Sequence, residues 1–155
     1  MKSGTGGTIR VGEVSAIYPE RGTARVYLPD LNVVTDECPV VVPAAVKSRD
    51  YRMPEVGETV IAAFLGNGVE SGFILGCLYN EKDRTLVADA DVRHWTMEGA
   101  GAIEFNRREG SVLIVDASGS VIKMSGGDIV LQAAANIHLN PGSVEIPAHL
   151  STIFD

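Results

Sequence analysis

The chain has 155 residues, with 13 Lys and Arg against 20 Asp and Glu and a formal net charge of −7. Nucleic-acid binders present a basic stripe, because phosphate contacts supply much of their affinity; no Lys/Arg run occurs here, so nucleic acid is not an expected partner. A hydrophobic share of 45% excludes a disordered chain, and no apolar run reaches the roughly 18 residues of a membrane span.

The N-terminal MKSGTGGTIRVGEV lacks the apolar stretch of a signal peptide, so synthesis in the cytoplasm is expected. From about Thr8 to Asn80, apolar and often alternating runs recur at Ile9–Ile17, Ala24–Leu28, Cys38–Val42, Thr59–Leu65 and Gly72–Leu78. Turn signals punctuate them: Pro19-Glu-Arg-Gly22, Pro29-Asp30, Pro54-Glu-Val-Gly57 and Gly66-Asn-Gly68. Five short strands and one longer connection, Pro43 to Gly57, predict a five-stranded barrel of the OB type over residues 1–80. Cys38 and Cys77 are far apart and lack Cys-x-x-Cys spacing, so two buried free thiols are expected.

Residues 81–92 are charged and aperiodic, which reads as a linker. From 93 to 155 the chain repeats. Ile103-Glu-Phe105, Val112-Leu-Ile-Val115, Val121-Ile-Lys-Met124, Ile129-Val-Leu131, Ile137-His-Leu139 and Val144-Glu-Ile146 are short strand-like clusters. The last three are offset by eight and then seven residues, a period that suits a β-helix or fibrous β-prism better than a globular sheet. Side chains alternate faces along a strand. Ile122 and Met124 facing inward leave Lys123 outside; Ile137 and Leu139 inward leave His138 outside; Ile129 and Leu131 form the intervening pair.

Each cluster thus offers two apolar side chains to one face. Burying one yields about 1.5–3 kcal/mol. Ordering the seven or eight residues of a turn costs about 1–2 kcal/mol each. A single chain cannot balance that, and single-chain β-helices use rungs of about 20 residues or more. Three chains around one axis resolve the deficit, each supplying one side of a triangular prism. The expected axial residues are Ile122, Met124, Ile129, Leu131, Ile137 and Leu139, and the region is expected to be an obligate homotrimer. Gly119 and Gly126-Gly127 suit tight corners with positive φ, and Ala133-Ala-Ala135 reads as another corner.

Candidate chemical sites are few. Gly66 to Gly72 lacks Gly-x-Gly-x-x-Gly spacing and lies between strand-like runs, so a hairpin turn is expected. Asp36-Glu37 and Asp89/Asp91 lie in polar stretches without the burial that acid/base work needs. No Ser-His-Asp or Cys-His signature is present, and Asp30, Asp36 and Glu37 lack calcium-loop spacing. No catalytic or cofactor-binding residue is therefore expected. Tyr27, Phe64 and Phe73 are the aromatics near an OB binding face, without the basic residues that accompany stacking platforms. His94, beside Trp95, reads as a packing or hydrogen-bonding residue. In a trimer His149 makes a ring of three, a candidate transition-metal site near the tip.

Together the two halves resemble the central spike of contractile phage tails, the baseplate assembly protein V family, and are similar to the C-terminal part of the type VI secretion spike. The resemblance rests on Gly12-Glu-Val14, Ala24-Arg-Val-Tyr-Leu-Pro29, Pro54-Glu-Val-Gly-Glu-Thr-Val60 and Gly72-Phe-Ile-Leu-Gly-Cys-Leu-Tyr79, and on the Ile-x-Leu repeats. It implies an all-β protein: an OB-fold collar followed by an intertwined triple-stranded β-helix that docks on the baseplate hub and tail tube. Such a spike is assembled in a phage tail or tail-like particle and driven mechanically through a target cell envelope, with a separate tip-capping protein in some cases. Some members hold an axial iron through His-x-His; this chain has His138-Leu-Asn140 instead. The alternative reading is an OB-fold binding module with a trimerising β-rich tail.

Overall fold

The computed structural model describes residues 8–66, 68–69 and 71–139. Every regular element among them is a β-strand. The chain divides into two compact units, the first ending at Thr85 and the second starting at Leu86.

The first unit is built on β1 (Thr8–Tyr18), β2 (Thr23–Leu28), two-residue strands β3 (Val33–Val34) and β4 (Cys38–Pro39), β5 (Thr59–Phe64) and β6 (Gly72–Cys77). Period-two alternation decides what is inside. Ala24, Val26 and Leu28 of β2 and Val60, Ala62 and Phe64 of β5 point into the core, with Val14, Cys38 and Ile74. The sheet order is β3-β2-β1-β5-β6, with β4 also on β2. One parallel bridge, Val40 to Ile74, links the segment after β4 to β6, and the Val41 amide donates to the Ile74 carbonyl at 2.9 Å. The sequence reading therefore holds as an all-β unit, and the run Cys38–Val42 is a strand only at its first two residues.

β1 is long because it serves two partners. Residues 8–13 pair with β5 and residues 13–18 with β2. The register slips between Val14 and Ala16, which leaves Ser15 as a bulge whose hydroxyl donates to the Arg25 carbonyl at 3.2 Å. A bulge bends the strand and raises its twist, so the two halves can follow different neighbours.

The motif residues have local reasons. Gly12 sits where β1 changes partner, and a Cβ there would lie 2.4 Å from Val26 Cγ1 and 2.5 Å from the Tyr27 carbonyl oxygen. In Pro54-Glu-Val-Gly-Glu58, Gly57 adopts φ 91°, which glycine takes without the Cβ penalty. Its amide donates to the Val14 carbonyl at 2.8 Å, and the Val14 amide donates to the Glu58 carbonyl at 3.0 Å. The Glu58 carboxylate closes the turn by accepting from the Glu55 amide at 3.0 Å. Thr35, buried between β3 and β4, accepts from the Val26 amide at 3.0 Å through its hydroxyl and donates to the Asp36 carbonyl at 2.7 Å. Both cysteines are free; Cys38 is buried as expected, but Cys77 is exposed, because it lies on the edge strand β6 beyond the register shift that follows Ile74.

The second unit is a meander: β7 (Val92–Met97), β8 (Gly101–Asn106), β9 (Ser111–Asp116), β10 (Val121–Ser125) and β11 (Asp128–Gln132). All neighbours are antiparallel and the order β11-β10-β9-β8-β7 follows the chain. Gly126 and Gly127, at φ 61° and 90°, make the two-residue hairpin between β10 and β11. In a single chain this unit is an open sheet.

Changing Gly12 to Ala should destabilise the first unit by about 1–3 kcal/mol, the usual range for overpacking. Gly76→Ala, where a Cβ meets nothing within 4 Å, should shift stability by less than about 0.5 kcal/mol. Urea unfolding of the two variants reads the difference, and equal midpoints would show that Gly12 is not closely packed.

Candidate assembly surface

In the second unit the register does more than pair strands. It aligns Trp95 with Ile103, Ile103 with Ile114, Ile114 with Ile122, and Ile122 with Leu131. One apolar row therefore crosses the sheet from β7 to β11. A second row on the same face joins Arg93, Phe105, Val112, Met124 and Ile129. The interleaved residues face the other way: His94, Glu104, Leu113, Lys123 and Val130 form one row, and Thr96, Ala102, Val115, Val121 and Gln132 the next.

No described element of this unit covers the apolar face. Trp95, Ile103, Ile114, Ile122 and Leu131 remain 44%, 40%, 37%, 41% and 49% exposed. Among the described residues from Leu86 onward, Ser111 alone is buried, and no apolar side chain is. A contiguous apolar surface of this kind marks an interaction site. At the β7 end it carries bulk and one charge: Trp95 and Phe105 pack edge to face with centroids 5.8 Å apart, and the Arg93 guanidinium lies over the Trp95 ring at 4.6 Å.

Of the six residues expected on an axis, Ile122, Met124, Ile129 and Leu131 share this face. Ile137 and Leu139 do not join it. Strand pairing ends at Gln132, residues 134–135 bend, and Ile137 and Leu139 lie outside any strand at 52% and 82% exposure. The expected cluster Ile137-His-Leu139 is thus not a strand, for no further segment of the described chain pairs beyond β11; His138 is exposed there. His149 and the cluster at Val144 lie outside the described residues.

The face also holds Trp95, Ile103, Phe105, Val112 and Ile114, which the repeat alone did not single out. Ile103-Glu-Phe105 signals its inward pair by the intervening Glu, whereas Val112-Leu-Ile-Val115 is apolar throughout and needs the register to orient it.

The other polar groups are occupied locally. His94 Nδ1 lies 3.1 Å from Glu104 Oε2 and Nε2 lies 2.5 Å from Thr96 Oγ1, away from the apolar face. Asp91 accepts from Arg107 Nε at 2.8 Å and from Arg108 at 3.1 Å, and Asp89 accepts from Arg108 at 3.3 Å. Glu37 accepts from Arg21 Nε at 2.9 Å and from Thr23 at 2.7 Å, which hold its carboxyl below the usual range. Phe64 is fully buried in the first unit's core, and the Tyr27 hydroxyl donates to Asn32 Oδ1 at 3.0 Å, so neither stands free as a stacking platform. The described residues contain no group of three or more His, Cys, Asp or Glu placed to hold a metal ion.

Residues 10–79 match the family model of the type VI secretion system/phage-baseplate injector OB domain. The match spans 70 of the 155 residues, so it is the first unit that is similar to this injector OB domain. The match covers β1 to β6, and Gly12, Pro54, Gly57, Glu58 and Gly72 all fall within it. The likeness to a baseplate injector domain supports a structural baseplate role. No curated protein matches the chain.

At the rim of the apolar face, opposite Gly101, Asp116 organises the turn into β10. Its carboxylate accepts from the Ser118 hydroxyl at 2.8 and 2.7 Å and from the Ser120 amide at 2.7 Å. Those donors, Ser118 first, hold its pKa below the ordinary aspartate value. A depressed carboxyl contributes stability above its unfolded pKa and loses that contribution as pH falls through the folded one. Carboxyl-carbon NMR should therefore place the Asp116 midpoint below that of an unstructured aspartate, and Ser118→Ala should move it upward; a midpoint at or above the ordinary value would remove the turn's polar support.

Proposed function

We propose that three copies of this chain form the central spike of a contractile phage tail or related injection machine, with their apolar faces packed around a common axis. One observation carries the reading: a sheet whose apolar rows run from edge to edge and find no cover among the described residues of their own unit. Of the nine apolar side chains of the two rows, eight are 37–69% exposed and Val112 is half-buried. Covering them is worth roughly 1–2 kcal/mol apiece, on the order of 10 kcal/mol per chain. That is comparable to the cost of association, about 4–15 kcal/mol, so cooperation between three chains is needed for a stable product.

In this reading the first unit is an OB collar whose sheet closes into a barrel through the Val40–Ile74 bridge. It fixes the chains in register and docks on the baseplate hub and tail tube. The sheets form a stiff prism, extended by residues beyond β11 as a triple-stranded β-helix that includes Ile137 and Leu139. The particle drives this needle through the target envelope by force, without enzymatic action. His149 of the three chains is the candidate metal ring near the tip, which a separate protein caps in some assemblies. The chain is made in the cytoplasm and works in the assembled tail.

Light scattering of the full chain should give about 49 kDa, three chains of 16.4 kDa. Ile122→Asp places three carboxylates on the axis and should abolish the trimer. Lys123→Ala, one residue along and on the opposite face, should leave the mass unchanged. A folded monomer of the unaltered chain would sink the proposal.

A further inference from the structure

Arg93 is the one ionisable side chain in the two apolar rows. It stands opposite Phe105, and its guanidinium is held over Trp95 on the same face. Among the described residues it makes no ion pair. The nearest acids in sequence, Asp89 and Asp91, are engaged by Arg107 and Arg108, and Glu104 faces the other side of the sheet with His94. The rows offer no carboxylate that could neutralise Arg93. Its ring partner orients the guanidinium without reducing its charge.

We infer that the three Arg93 guanidinium groups of the assembled spike hold a free tetrahedral oxyanion, phosphate or sulfate, on the three-fold axis at the β7 end. The inference rests on the trimer proposed above. Packing this face around an axis brings three like charges together in a poorly solvated setting, which is unfavourable unless an anion enters. Guanidinium is a planar fork of donors suited to oxyanions. A tetrahedral ion seated on a three-fold axis turns three equivalent oxygens toward three equivalent forks, which a spherical halide cannot do. Trp95 and Phe105 form the apolar wall that keeps the forks from turning freely.

The test is calorimetric titration of the full chain with inorganic phosphate, with sulfate and chloride as parallel arms at matched ionic strength, and with mass measured on each sample. The expected result is one phosphate per three chains and a melting temperature raised by several degrees at about a hundred times the dissociation constant. Sulfate should act likewise, and chloride should not. Arg93→Gln should abolish binding while the mass stays trimeric. Arg93→Leu should melt no lower than the unaltered chain without phosphate, since an uncompensated charge has been replaced by apolar surface, and should gain nothing when phosphate is added. A trimer that binds no phosphate, or whose gain chloride reproduces, overturns the inference and leaves the spike reading intact. A chain that is not trimeric defeats the spike reading itself.

Discussion

The second unit depends on one constraint. Successive strand side chains point to opposite faces, and the register of a meander adds those faces up across the sheet. Trp95, Ile103, Ile114, Ile122 and Leu131 come from five strands, yet pairing sets them in one line. A one-residue slip of β10 would send Lys123 into that line, and a slip of β8 would send in Glu104. The alternation of Ile122-Lys123-Met124 therefore encodes both the face and the need for something to cover it.

The first unit solves the opposite problem. Its strands enclose their own core, and its difficulty is geometric: β1 must leave β5 and join β2 within a few residues. The Ser15 bulge, the close approach at Gly12 and the Gly57–Val14–Glu58 backbone exchange all occur at that crossing. Those residues fall within the segment that matches the injector OB domain. The motif residues here thus mark how a strand changes partners.

Much of this was legible in the sequence. Alternation in Ala24–Leu28 and Thr59–Phe64, with Gly and Pro between the runs, located the main strands, and Gly126-Gly127 marked a tight corner that proves to be the turn of a hairpin. Lys123 oriented β10 because a charge between two apolar residues leaves one inexpensive choice. Legibility failed where local pattern is silent. Val112-Leu-Ile-Val115 has no polar residue to orient it, so its part in the face emerges only from pairing with β8 and β10. Ile137-His-Leu139 has the same alternation but lies outside the strands of a single chain, so one chain's sheet does not test its place on an axis. Cys77 looked like a core thiol by residue type, whereas its exposure follows from its place on the edge strand beyond the register shift after Ile74.

The meander also bears on how such a needle could be put together. Every strand of the second unit pairs with its neighbour in sequence, so contact order is low and each hairpin can close without waiting for distant chain. The sheet can be drawn as a finished plate in one chain before any other arrives. Over β7 to β11, assembly then needs docking of plates and no threading of one backbone through another. The rate would rise with the concentration of chains, and an unmatched plate, apolar on one side and open at both edge strands, would be the species most prone to aggregate.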